Sequence, residues 1–289
     1  LTYDSGGGGT GANAVDNIIP TAWEEVDYGF STGISDVGAV SASKGVVNLT
    51  VKAPGAGTGF SLSYASRMGS GHIHDGAVGG GSGTGNHGVD LVVDLVDFSA
   101  AHAGLRFGLA GQIEMPEANC RNVRQGRASH GDLHSCGGGQ KAKPWAGTLY
   151  FKPTLGPLHL GVQGTFKDPS SDAAAGIANM RSIVAGAALV FGDTLSVSYG
   201  VAKDKYRYND RNRGYVVSPN AGCKGANESY VCGREDNEYT TQKYRGFSAA
   251  LNIGPVALKG THNKVKGDNR TSIYAHDTQH TELNLSIAF

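Results

Sequence analysis

The sequence has 289 residues, enough for one large domain or two small ones. Its 25 basic and 25 acidic residues leave no net charge, which argues against nucleic acid as a main partner. It contains no apolar stretch of about eighteen residues, as a transmembrane helix requires, and no signal peptide begins at Leu1, so we expect a mature or trimmed chain.

Residues 1–45 are Gly-rich at the start (DSGGGGTGANA) and only weakly patterned later. The one strand they offer is Val26–Ile34, where apolar and aromatic residues recur in VDYGFSTGI. We therefore expect residues 1–45 to be mostly loop.

From Val46 onward, apolar residues recur at every second position. This period predicts half-buried strands, because successive side chains of a strand point to opposite faces. The first two predicted strands form a hairpin around a Pro-Gly-Ala-Gly turn. The predicted strands are 46–52, 60–65, 90–95, 105–114, 145–152, 158–166, 183–191, 195–201, 247–253, 256–261 and 279–289.

The connections between these strands alternate strictly between short and long. The short ones are 53–59, 98–102, 154–157, 192–193 and 254–255; the long ones are 69–88, 116–143, 168–180, 209–240 and 266–277. This alternation is typical of an up-and-down transmembrane β-barrel with its long loops at one end. A soluble sandwich with Greek-key crossings does not sort its loops in this way. We predict one antiparallel β-barrel domain over residues 1–289.

One face of the predicted strands is apolar and the other carries charge. The charged set is Lys52, Asp90, Asp94, Arg106, Glu114, Lys152, His159, Lys259 and Glu282. A barrel of eleven or twelve strands is too wide for side chains to fill, so we expect the charged face to line an aqueous pore. The apolar face then meets lipid, as in membrane barrels.

Four cysteines occur as two local pairs in polar, Gly-rich connections, Cys120 with Cys136 and Cys223 with Cys232. This placement predicts two loop disulfides and an oxidising compartment. A zinc site with His130 and His134 is disfavoured, because the spacing matches no standard finger. Loop carboxylates offer a weak calcium alternative, but no calcium-loop pattern occurs, so we predict no cofactor.

Three parts of the sequence carry a family resemblance: VVNLTVKAPGAGTGFSLSYASRM (46–68), NMRSIVAGAALVFGDTLSVSYGVAKDKY (179–206) and the closing strand that ends on Phe289. These phrases resemble the general-diffusion porins of the outer membrane of alphaproteobacteria, and the overall pattern covers 46–289. The resemblance implies a barrel of sixteen strands, a homotrimer in outer-membrane lipid, and a third outer loop that folds into the pore as a constriction.

The sequence departs from the family pattern in strand number, because about eleven or twelve strands are visible. Either Val26–Ile34 completes a barrel of twelve, or about five strands precede Leu1 in the intact protein, which then has sixteen. We favour sixteen. Residues 1–45 then take the place of the constriction loop, and Glu24, Glu25 and Asp27 are the candidate acidic residues at the constriction.

These features favour a passive channel for ions and small hydrophilic solutes, with weak selectivity because charges of both signs line the pore. We predict no enzyme activity, since no G-x-S-x-G motif accompanies His159 or His280. Two alternatives stay open. One is an outer-membrane barrel that acts as an adhesin, receptor or structural protein through its long disulfide-tied loops. The other is a soluble β-sandwich that binds a ligand.

Overall fold

The computed structural model describes residues 1–4, 11–15, 18–26, 46–53, 57–65, 87–98, 104–115, 145–168, 177–208, 240–267 and 278–287. Over these ranges the protein is all-β, with one sheet of 12 strands and a short 3-10 helix, η1 (Gly11–Val15). None of the described residues belongs to a helix that is long and apolar enough to cross a membrane.

The strands follow one another in the sheet in chain order, and each is antiparallel to its neighbours. They are β1 (Thr2–Asp4), β2 (Val46–Lys52), β3 (Gly59–Ala65), β4 (His87–Asp97), β5 (Leu105–Met115), β6 (Trp145–Leu155), β7 (Leu158–Asp168), β8 (Ile177–Phe191), β9 (Leu195–Tyr208), β10 (Thr240–Ile253), β11 (Val256–Gly267) and β12 (Thr278–Ile287). The predicted all-β, up-and-down arrangement is confirmed. Strands β1 and β12 form the two edges of the sheet.

The short connections alternate with the long ones as predicted, so one end of the sheet carries tight turns and the other carries long connections. Three tight turns use a glycine with positive φ: Gly156 (φ 58), Gly192 (φ 57) and Gly254 (φ 54). Other residues rarely adopt this conformation, which fixes where each hairpin reverses.

The structure differs from the sequence prediction near the start of the chain and in where several strands begin or end. The structure has a strand, β1, near the start of the chain where none was expected, and it pairs with the first three residues of β2. Of the predicted strand Val26–Ile34, only Val26 is described, and it lies in a turn, while 27–34 fall outside the described residues. Strand β8 also begins earlier than expected, at Ile177.

The two faces of the sheet differ in polarity, and we call them the polar face and the apolar face. On the polar face, buried polar residues stand opposite one another in rows that run across the strands. One row is Asn48, Ser63, Asp90 and Gln112; another is Thr148, Thr165, Ser182, Asp204 and Gln242. The apolar face carries large hydrophobic side chains that are about half exposed, such as Leu149 (52%), Ile183 (54%) and Phe247 (50%). A soluble protein buries such residues, so this polarity is inverted.

Candidate functional site

Residues 11–15 and 18–26, which we call the crossing segment, lie against the polar face of the sheet. Helix η1 packs Ala12 and Val15, together with Ile18, onto Val92 of β4 and Tyr150 of β6. Gly11, with φ 54, approaches the side chains of β3 and β4 so closely that a Cβ would collide with them. The first part of the crossing segment therefore sits firmly on β3 to β6.

The second part of the crossing segment runs across the strands and bonds to successive ones. The side chain of Gln163 on β7 binds two backbone groups of the crossing segment: its Oε1 accepts from the backbone nitrogen of Ile18 (3.1 Å) and its Nε2 donates to the carbonyl of Val15 (3.0 Å). The polar side chains of β9, β10 and β11 continue the series. The bonds are Ala22 N to Ser198 Oγ (2.8 Å), Glu24 N to Ser248 Oγ (3.3 Å) and Asn263 Nδ2 to the carbonyl of Glu25 (2.7 Å).

This hydrogen-bond series sets the path of the chain. Strands lie about 4.8 Å apart, so the distance from β7 to β11 is about 19 Å along the sheet. Eight extended residues, from Ile18 to Glu25, reach up to about 27 Å. The crossing segment is therefore long enough to run across β7 to β11, where its hydrogen bonds hold it on the polar face.

A row of paired glycines makes room for this part of the crossing segment. On the polar face of β7 to β10, Gly161 pairs with Gly186, Gly186 with Gly200, and Gly200 with Gly246. A Cβ on Gly161 would stand 2.5 Å from Cδ of Pro20, and one on Gly186 would stand 2.5 Å from Cγ2 of Ile19. We call these four residues the glycine row. Their lack of side chains allows backbone to approach backbone closely.

The crossing segment ends at Val26, which is buried against β9 to β11 on the polar face. Val26 packs with Ala202, Tyr244 and Val265 of β9, β10 and β11. A Cβ on Gly200 would lie 3.1 Å from Cβ of Val26. The apolar contacts at Val15 and Val26 thus fix both ends of the stretch that the hydrogen bonds hold between them.

A group of charged residues lies on the polar face near the tight-turn end. Arg106 of β5 forms a two-point ion pair with Asp94 of β4, with Nε to Oδ1 at 2.9 Å and Nη2 to Oδ2 at 3.2 Å. The hydroxyl of Tyr150 donates to the same carboxylate at 2.7 Å. Lys152 stands opposite Arg106 in the β5–β6 register, so like charges are neighbours. The Asp94 carboxylate thus binds both Arg106 and Tyr150.

The charged group borders a cavity beneath the crossing segment. The cavity has a volume of about 380 Å³, and Arg106, Lys152 and His159 line it on the side of the sheet. Ile18 and Pro20 line it on the side of the crossing segment. A small polar solute in this space would contact cationic side chains on one side.

Carboxylates lie at the other end of the crossing segment. Glu24 and Glu25 are both partly exposed. Burial raises the pKa of the Glu24 carboxyl, the nearby carboxylate of Glu282 raises it further, and the Lys259 ammonium lowers it. Glu24 is therefore coupled to two strand residues, one of each sign, on the polar face of β11 and β12.

The nine charged residues predicted to share one face all belong to strands, and for the eight other than Glu114 alternation and register place the side chain on the polar face. The structure brings Asp94, Arg106 and Lys152 into one group and places Lys259 and Glu282 near Glu24. Lys52 lies near a tight turn and Asp90 is fully buried, while Glu114 is paired with Gly88. Asp27 and the cysteines Cys120, Cys136, Cys223 and Cys232 lie outside the described residues.

Sequence reasoning missed the residues that hold the crossing segment: Gln163, Ser198, Ser248, Asn263 and the glycine row. Small and polar residues at alternate positions were visible in the sequence, but the register between strands decides whether they line up across the sheet.

Within the described part of the chain, no three His, Cys, Asp or Glu side chains are grouped as a metal site would need. The sequence matches no protein-family model and no curated protein.

Proposed function

We propose that the protein is a porin of a bacterial outer membrane, a water-filled channel through which ions and small hydrophilic solutes diffuse passively. The observation that carries this proposal is the inverted polarity of the sheet. Buried polar side chains cover the face that holds the crossing segment, and half-exposed apolar side chains cover the other face. A membrane barrel has this arrangement, because lipid surrounds it and water fills it.

The crossing segment supplies the second element of the proposal. It lies on the polar face, so in a closed barrel it would narrow the pore. Glu24 at one end and the Arg106–Lys152 pair nearer the other would then expose the solute to charges of opposite sign. Charges in a narrow aqueous pore act on ions at close range, so these residues are the proposed determinants of size and charge preference.

We further propose that the closed barrel has sixteen strands, as the family resemblance implies. Closing the 12 described strands on themselves would pair β12, with 10 residues, against β1, with 3. Most backbone groups on the free edge of β12 would then lack partners, which is costly in lipid. The intact mass of the protein isolated from its source should therefore exceed 29.9 kDa. The resemblance also implies a homotrimer, which cross-linking in mild detergent would test.

Planar-bilayer recording of the full-length protein, folded in detergent, tests the channel directly. We expect stepwise increases in current that are linear in voltage. Fractionation of source cells should place the protein with the outer membrane. Silent bilayers from well-folded protein would contradict the channel and favour a surface adhesin or receptor, whereas solubility without detergent would contradict the membrane assignment altogether.

The raised pKa of Glu24 predicts a pH dependence of ion preference. A carboxyl with a raised pKa becomes neutral at a higher pH than an ordinary one, so the ion preference of the pore should shift from cations towards anions as the pH falls from neutral towards the raised pKa. The reversal potential in a KCl gradient, measured between pH 7 and pH 4, reports this change.

Two substitutions should move the midpoint of that pH dependence in opposite directions. Glu282→Gln removes a carboxylate that raises the pKa of Glu24, so the midpoint should fall. Lys259→Gln removes the ammonium that lowers it, so the midpoint should rise. Glu24→Gln should abolish the transition. A transition unchanged in Glu24→Gln would show that another group controls the ion preference.

A further inference from the structure

Five cations lie close together on the apolar face of the sheet, at the end with the long connections. They are Lys203 of β9, Lys243 and Arg245 of β10, and Lys264 and Lys266 of β11, and we call them the basic patch. Their face is fixed by alternation, because the intervening Ala202, Tyr244 and Val265 are buried on the polar face. These cations therefore belong to the outer surface and not to the proposed pore.

The register of the strands sets these cations directly against one another. Lys203 stands opposite Lys243, Lys243 opposite Lys266, and Arg245 opposite Lys264. Like charges at opposed positions, whose Cβ atoms lie about 5 Å apart, destabilise a sheet. An anion that bridges the strands would remove this repulsion and would bind the folded protein in preference to the unfolded chain.

The basic patch borders an apolar groove. The groove has a volume of about 600 Å³, and all five cations line it together with Ile183, Ala185, Tyr199 and Val201. Those four residues lie towards the middle of β8 and β9, where Tyr199 is 52% exposed. The site thus has two parts, cations near the long-connection end and an apolar surface that continues along the strands.

The same end of β3 to β7 is different, which limits the basic surface to the later strands of the sheet. There the apolar face carries aromatic residues: Tyr64 bonds to His87 (3.0 Å), and the rings of Trp145 and Phe166 lie 4.8 Å apart. Aromatic residues of this kind suit a membrane–water interface. General interfacial anchoring by long basic side chains would distribute cations around the sheet, so their concentration on β9 to β11 calls for a specific ligand.

We propose that the basic patch and its groove bind an anionic phospholipid or other phosphorylated lipid of the surrounding leaflet. The phosphate would be bound by the Lys and Arg side chains, and an acyl chain would lie over Ile183, Ala185, Tyr199 and Val201. Charge complementarity supports the phosphate, since clustered basic residues bind anionic headgroups. The groove supports a lipid over a free anion, because a free anion would leave the apolar surface uncovered. This inference rests on the proposed membrane location.

A lipid titration of the detergent-folded, full-length protein tests the site. Native mass spectrometry would compare binding of phosphatidylglycerol and phosphatidylcholine, and we expect a clear preference for phosphatidylglycerol. The triple variant Lys203→Gln, Lys243→Gln, Lys266→Gln should reduce phosphatidylglycerol affinity by about 100-fold, since each Lys near an anionic surface contributes about fivefold. A matched control, Lys52→Gln, Lys152→Gln, Lys259→Gln, removes the same charge from the polar face and should keep the preference.

Thermal unfolding gives a second readout that does not depend on pore activity. In phosphatidylcholine the patch variant should unfold at a higher temperature than the unmodified protein, because like-charge repulsion is gone. In phosphatidylglycerol this order should reverse. Circular dichroism would establish that each variant is folded.

Several outcomes would overturn the inference. Equal binding of both lipids by the unmodified protein would contradict the lipid site. If inorganic phosphate alone raises the unfolding temperature as much as phosphatidylglycerol does, the basic patch binds a free anion and not a lipid. A change of oligomeric state in the patch variant, with lipid binding intact, makes this face a subunit interface. If the protein conducts in bilayers but shows no lipid preference, only this inference fails. If it does not enter membranes, the proposed function fails first.

Discussion

Replacing Gly161 by Leu is expected to lift the crossing segment from the polar face and to raise the conductance of the proposed channel. A Cβ at this position would lie 2.5 Å from Cδ of Pro20 and 3.3 Å from Cα of Ile19. The proline ring cannot rotate away, and the Ile19 atom belongs to the backbone. Overpacking of this kind costs about 1–3 kcal/mol, which raises the population of the detached segment by about 5- to 150-fold.

Two measurements test this expectation together. Single-channel conductance should rise as the pore widens, and a Glu-specific protease should cleave after Glu24 and Glu25 faster than in the unmodified protein, because a detached segment is more accessible. Gly164→Leu is the matched control. It lies in the same strand, and a Cβ there would meet nothing within 4 Å.

The changes in conductance and cleavage depend on whether the added side chain displaces the crossing segment or strand β7. If Gly161→Leu leaves both conductance and cleavage at the level of the control, the crossing segment does not limit the pore. If cleavage rises and conductance does not, the glycine row positions the segment as described, but the constriction lies elsewhere.

The faces of the strands could be predicted from the sequence because a strand has a fixed period. Leu49 and Thr50 illustrate this: one lies on each face, as alternation requires. The tight turns were equally predictable, since Gly156, Gly192 and Gly254 supply positive φ beside apolar runs. These features are local, and residues a few positions apart decide them.

The position of the crossing segment on the polar face could not be predicted, because it depends on contacts between distant parts of the chain. Gln163 bonds to Ile18 across 145 residues of sequence, and Asn263 bonds to Glu25 across 238. The glycine row becomes a row only when four strands adopt one register. Nothing near Gly161 or Gly246 in the sequence indicates that register.

The acidic end of the crossing segment is an intermediate case. Glu24 and Glu25 were identified by the family resemblance and not by periodicity, since no regular element includes them. Their proximity to Lys259 and Glu282 requires the segment to reach β11, which the hydrogen bonds of Ser198, Ser248 and Asn263 allow. The sequence therefore predicted that this end of the crossing segment is acidic, but it did not predict which strand residues lie near it.

Replacing Leu49 by Arg should strongly destabilise the protein in lipid. Leu49 lies in the middle of β2 on the apolar face and is 40% exposed. An arginine on the lipid-facing side of a membrane barrel costs about 2–4 kcal/mol near the middle of the bilayer. In water, the same substitution of a half-exposed leucine would cost far less, because the guanidinium would be hydrated. Urea unfolding in lipid vesicles, followed by tryptophan fluorescence, measures the difference.

Thr50→Arg is the matched control, because Thr50 is the next residue of the same strand and is exposed on the polar face. It loses a partly buried hydrogen bond to Asn48 and an exposed one to Ser61, so it should cost about 1 kcal/mol. A large gap between the two variants would establish that lipid covers one face and water the other. Equal, small costs would contradict the membrane location itself, since they would mean that both faces of β2 are hydrated.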